Sequence, residues 1–123
     1  DGVLSGLLLL DFMARTGRTA SDLVKHLYEL VGPHYYDRVD VEFEFEDRPA
    51  IVERVEAARP ATLGGLAVSG RDNPEGYRYV LEGSSWLLIR FSGTEPLLRI
   101  YAETDSPGRV ARLLAEGRRL AGV

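Results

Sequence analysis

Residues 86–104 read WLLIRFSGTEPLLRIYAET. Trp86 to Ile89 and Leu97 to Ala102 are short, apolar and rich in β-formers, so they predict two adjacent strands that present the intervening turn at one edge of a sheet. The turn Arg90-Phe91-Ser92-Gly93-Thr94-Glu95-Pro96, with Arg99 three residues further on, gathers anion-binding groups. Gly93 is expected to permit a backbone conformation other residues resist and to let a ligand approach closely. Consecutive N–H groups around such a glycine form a concave nest for an anion, and the Ser92 and Thr94 hydroxyls add donors. Arg90 contributes a planar fork suited to phosphate. Taken singly, these residues also describe an ordinary hairpin turn. For Arg90 the competing role is an ion pair with Glu103 or Glu95.

The rest of the chain supplies a scaffold. From Val39 the period is two: Val41, Phe43 and Phe45 alternate with Asp40, Glu42, Glu44 and Glu46, a strand with one face on a core and a solvated carboxylate row on the other. Pro49 opens a helix to about Ala58, with Ile51, Val52 and Val55 inward. Arg59-Pro60 ends it. Further strands are predicted at 66–68, 77–82, 86–90 and 98–104, separated by turns at Asp72 to Gly76 and Gly83-Ser84-Ser85. A last helix starts near Pro107 behind Ser106, with Val110, Leu113, Leu114 and Leu120 inward. Strand, helix, four strands, helix implies an α+β fold, an antiparallel sheet with helices on one face.

Two helices precede this unit. Asp1 caps a first helix from about Val3 to Arg15, ended near Gly17 and apolar nearly all round; it falls short of the about 20 apolar residues that cross a bilayer. Such a helix belongs in the interior of a larger protein. A second runs from Ala20 to about Val31, capped by Thr19 or Ser21, with Leu23, Val24, Leu27, Leu30 and Val31 facing inward. Gly32-Pro33 ends it and His34-Tyr35-Tyr36 forms a linker, which divides the chain into 1–33 and 34–123.

Composition sets outer limits. With 45% hydrophobic and 28% charged residues among 123, the chain is globular. A net charge of −4 and a pI near 5.2 argue against a nucleic-acid partner. Absence of cysteine removes disulfides and thiolate metal sites and fits a reducing cytoplasm. No secretory leader is apparent, and Met13, the sole methionine, lies inside the first helix, so the chain is expected to be a fragment. His26 and His34 have no companions at metal-ligand spacing. Trp86, Tyr79 and Tyr101 could form a sugar-stacking platform, but packing is the commoner use of strand aromatics.

The ordered set Arg-x-Ser-Gly-Thr-Glu-Pro-x-x-Arg closely resembles the phosphate-binding loop in the C-terminal domain of the α-D-phosphohexomutases, the phosphoglucomutase/phosphomannomutase family. The resemblance extends over the whole chain, most closely at 86–103. Phe91 departs from the Pro or Lys of many members. The likeness implies a TATA-binding-protein-like β-α-β4-α fold for 34–123, the fourth domain, and the closing helices of the third domain for 1–33. It implies a full-length mutase that interconverts hexose 1-phosphate and 6-phosphate through a phosphoserine and a bisphosphate intermediate. Magnesium would assist at the serine, its ligands in upstream domains. Motif by motif, Arg90, Ser92, Gly93, Thr94 and Arg99 would contact the phosphate that is not transferred; Glu95 would orient an arginine or cap backbone donors, since a carboxylate repels phosphate. No catalytic or metal-ligating residue is expected in this chain, which would be inactive alone. The alternative is a non-catalytic phosphate-binding or interaction module.

Overall fold

The computed structural model describes residues 1–73 and 75–123. The chain separates into two compact units, 1–33 and 34–123.

In the first unit, α1 spans Gly2–Thr16 and α2 spans Ala20–Val31. Asp1 accepts the Val3 N–H at 2.9 Å, and Gly17 closes α1 in the left-handed region at φ 65°. Thr19 and Asp22 form a reciprocal capping box around the first turn of α2. The face of α2 expected to be buried is not: Leu23 is half-buried, while Val24, Leu27, Leu30 and Val31 are exposed. Two short helices offer each other too little surface to bury a stripe of that width, so α1 and α2 contain no buried residue. No helix among the described residues is long and apolar enough to cross a membrane.

The second unit is built from β1 (Tyr35–Glu42), α3 (Arg48–Ala57), β2 (Thr62–Leu63), β3 (Leu66–Asp72), β4 (Tyr77–Leu81), β5 (Trp86–Phe91), β6 (Leu97–Thr104) and α4 (Pro107–Ala121). Its six strands form one antiparallel sheet in the order β1-β6-β5-β4-β3-β2. The expected α+β architecture is therefore present, with one strand more than predicted. That strand, β2, is two residues long, too short to leave a periodic signal. It turns into β3 through Gly64 and Gly65, both at positive φ (60° and 82°), the backbone that matches the twist of a tight hairpin. Part of the expected turn from Asp72 to Gly76, Pro74, lies outside the described residues.

Alternation along β5 and β6 sets the core. Leu87, Ile89, Leu98, Ile100 and Ala102 are fully buried on one face, against Val110 and Leu113 of α4 and Ile51 and Val55 of α3. Pro49 sits in the first turn of α3 as expected. Two local readings change. The sheet begins at Tyr35, so Tyr35 and Tyr36 belong to β1 rather than to a linker. The period-two pattern stops at Glu42: Phe45 lies in a 3-10 turn and is 69% exposed, because the chain must rotate there to enter α3. Tyr79 is core, its hydroxyl donating to the Val55 carbonyl at 3.4 Å, and burial pushes its pKa up.

Helix α4 lies against the sheet at Gly117, where a Cβ would stand 2.7 Å from Ile100 Cγ2 and 3.3 Å from a Leu87 methyl. Only hydrogen fits there without moving the helix or the sheet. Gly117→Val should therefore destabilise the unit by about 1–3 kcal/mol through overpacking. Urea unfolding monitored by tryptophan fluorescence checks it, and an unchanged midpoint would mean that α4 can back away freely.

Candidate functional site

The turn between β5 and β6 is closed by its own chain. Ser92 N–H donates to the Leu97 carbonyl at 2.8 Å, Leu97 N–H donates to the Glu95 carbonyl at 2.8 Å, and Glu95 N–H donates to Ser92 Oγ at 3.3 Å. Among the described residues this leaves the Gly93 and Thr94 N–H groups as the two unpartnered backbone donors between Ser92 and Leu97. The Ser92 hydroxyl accepts one bond and so keeps its proton to donate. Ser92 is buried, whereas Gly93 and Thr94 are exposed. Adjacent free N–H groups in a turn are donors available to a ligand.

Gly93 itself corrects an expectation. Its φ is not in the left-handed region, so another residue could adopt its backbone. What the glycine provides is room, since a Cβ added there would meet nothing within 4 Å. Similarly, Glu95 closes the turn with its backbone; its side chain forms no ion pair among the described residues.

Strand register brings the two arginines together. Arg90 lies directly opposite Arg99, and since Ile89, Leu98 and Ile100 face the helices, both arginines stand on the open face of the sheet. Like charges directly opposite each other on one sheet face destabilise it unless something negative neutralises them. The carboxylates nearby do so incompletely. Arg90 Nη1 lies 3.5 Å from Glu75 Oε2, an exposed side chain, and not beside Glu103 or Glu95. Glu103 instead holds His34 at 2.7 Å. Arg99 Nε lies 4.0 Å from Asp40 Oδ2, while Asp40 is engaged by Arg38 at 3.0 Å. Arg99 Nε is buried and has no hydrogen-bond partner. A buried unsatisfied guanidinium donor is costly.

Arg48, at the start of α3, is a contributor the sequence reading missed. Its Nη1 donates to the Ser92 carbonyl at 3.0 Å, and its guanidinium lies 5.4 Å from the centre of the Phe91 ring. Forty-four residues separate it from Ser92, and no local pattern links them. Trp86 and Tyr101 lie on the open face, where Tyr36 packs against both, at 6.2 and 6.5 Å between ring centres. That is the sheet-face packing expected of them.

A groove of about 650 Å³ runs beside the turn, lined by Asp40, Glu42, Phe43, Glu44, Glu95 and Pro96. Four of its lining residues carry carboxylates. Those carboxylates do not converge as a metal site; no group of three or more His, Cys, Asp or Glu does so among the described residues.

Residues 39–120 match the family model described as phosphoglucomutase/phosphomannomutase, C-terminal domain. The chain is 30% identical over 120 residues to a phosphoglucomutase/phosphomannomutase of Thermococcus kodakarensis, covering 98% of this chain and 24% of that protein. It is 34% identical over 119 residues to a phosphoglucosamine mutase of Cereibacter sphaeroides, covering 94% and 22% respectively. A phosphoglucosamine mutase of Shewanella baltica is 33% identical over the same length. The chain thus spans about a quarter of the length of the curated relatives it matches. It belongs to the phosphoglucomutase/phosphomannomutase family and carries that family's C-terminal domain.

Proposed function

We propose that residues 34–123 hold one phosphate of a hexose phosphate in a full-length phosphohexomutase, and that the cradle is made by Arg90, Ser92, Gly93, Thr94 and Arg99. The enzyme would interconvert hexose 1-phosphate and 6-phosphate in the cytoplasm through a phosphoserine and a bisphosphate intermediate. The observations that support this reading most are the unpartnered Gly93 and Thr94 amides of the turn and the two incompletely neutralised arginines on the strands it joins. A phosphate dianion accepts from all of these donors and relieves the repulsion between Arg90 and Arg99.

The cradle binds and orients; it has no group poised to move a proton or a phosphoryl. It therefore suits the phosphate that stays while the other is exchanged, a task of positioning and charge neutralisation. Upstream domains would carry the serine and the sugar contacts. Magnesium would act at that serine with ligands from outside this chain. The acidic groove contributes by repelling a phosphate that strays toward β1. In the isolated chain the cradle is open to water and salt, which weaken each charge-assisted bond. Closure of the other domains over it would remove that water and tighten the grip.

Titrating the 123-residue chain with inorganic phosphate should move the Ser92, Gly93 and Thr94 amide resonances, with a dissociation constant on the order of millimolar that rises with ionic strength. Still resonances at these three positions, with shifts elsewhere, would reject the cradle. The purified chain should show no conversion of glucose 1-phosphate to glucose 6-phosphate in a coupled assay, with or without magnesium; turnover above background contradicts the assignment of the chemistry to other domains. In the full-length enzyme, Arg90→Ala should lower kcat/KM about 10- to 100-fold, the worth of one charge-assisted bond, while the serine still accepts phosphate. Mass spectrometry of the intact enzyme separates these two effects.

A further inference from the structure

We propose that Arg48 is a positioning residue that aims the Gly93 amide at the bound phosphate from the opposite side of the sheet. Phe91 follows Leu87 and Ile89 in alternation and packs against the core on the helix side. Arg48 lies over the Phe91 ring on that side, 5.4 Å from its centre. From there it donates to the Ser92 carbonyl at 3.0 Å. Ser92 C=O and Gly93 N–H belong to one trans peptide, in which the two groups point in opposite directions. Drawing the carbonyl toward Arg48 turns the Gly93 N–H away from it, and Arg90 and Arg99 stand on the face away from the helices.

Gly93 is where such a brace is needed. No side chain packs around it, and its amide makes no hydrogen bond within the described protein. Glycine also has the most backbone freedom to lose when a ligand fixes it. A cation on the preceding carbonyl removes part of that freedom in advance and polarises the peptide, making its N–H a better donor. The Phe91 ring holds the guanidinium in place by a cation–π contact, so the two residues act as a unit.

This rests on the phosphate-cradle reading, and the test separates the two. The wild-type 123-residue chain, Arg48→Ala, Arg48→Lys and Phe91→Leu are titrated with inorganic phosphate and followed by NMR at low and at moderate ionic strength. Ligand-free spectra are recorded first. In ligand-free Arg48→Ala the Ser92 carbonyl carbon should move upfield and the Gly93 amide should become more mobile, with core resonances unchanged. Its phosphate affinity should fall about tenfold, a difference of 1.4 kcal/mol, at both ionic strengths. Phe91→Leu should weaken binding less, and Arg48→Lys should recover only part of the loss, because lysine keeps the charge but not the planar fork. Unchanged Gly93 mobility and wild-type affinity in Arg48→Ala overturn the proposal and leave the cradle intact. A loss that Arg48→Lys fully restores and moderate salt abolishes also overturns it, since charge alone would then explain the effect. If wild-type Gly93 and Thr94 ignore phosphate, the cradle reading fails, and the ligand-free spectra still decide whether Arg48 braces the peptide.

Discussion

The pairing of β5 with β6 in a register that sets Arg90 opposite Arg99 is the constraint on which the domain depends. A slip of one residue would carry the guanidinium group of the slipped strand into the apolar layer and turn that strand's isoleucine outward. Neither consequence is tolerable, so burial of the core and placement of the arginines are specified by the same hydrogen-bond ladder. The turn then has its length and closure imposed from both sides, by Ser92 on Leu97 and Leu97 on Glu95. A like-charged pair kept near the turn end of this register costs stability, and the cost is intelligible if the domain's task is to receive a dianion.

The helix side makes this geometry rigid. Gly117 brings α4 close enough to touch Ile100 and Leu87, and the Gly64-Gly65 turn reaches α4 through a hydrogen bond from Gly64 N–H to Glu116 at 2.6 Å. Glu116 is in turn held by Arg112 and Arg119. Packed side chains therefore fill one face, while the other is left with charges and aromatic rings. A site on the rim between two such faces can draw on both: fixed backbone from below, open approach from above.

The sequence made legible what short-range chemistry decides. Alternation located β5 and β6, Pro49 and Pro107 marked two helix starts, and Asp1 and Thr19 marked two others. The run from Ser92 to Pro96 was readable as the turn between β5 and β6, and it is that turn. What escaped was set by distance along the chain. Nothing near Arg48 announces Ser92, and nothing near Glu75 announces Arg90, because those contacts exist only once the sheet has assembled. Phe45 misled because a period-two pattern continues in sequence past the point where the backbone has turned. Gly93 misled in a different way: glycine can mean an unusual φ or an empty space, and only coordinates distinguish the two.

The first strand of the domain pairs along its whole length with the last, Tyr35 against Thr104 through Glu42 against Leu97. During synthesis β1 leaves the ribosome long before its partner exists, since β6 lies more than 50 residues further along the chain. For that interval the chain carries a strand with unpaired backbone on both sides, a template for association with other nascent chains. Asp37, Asp40 and Glu42 then take on a meaning unrelated to phosphate. Negative charges spaced along an orphaned strand make it repel copies of itself, so the acidic row acts as a gatekeeper until the C-terminal strand arrives.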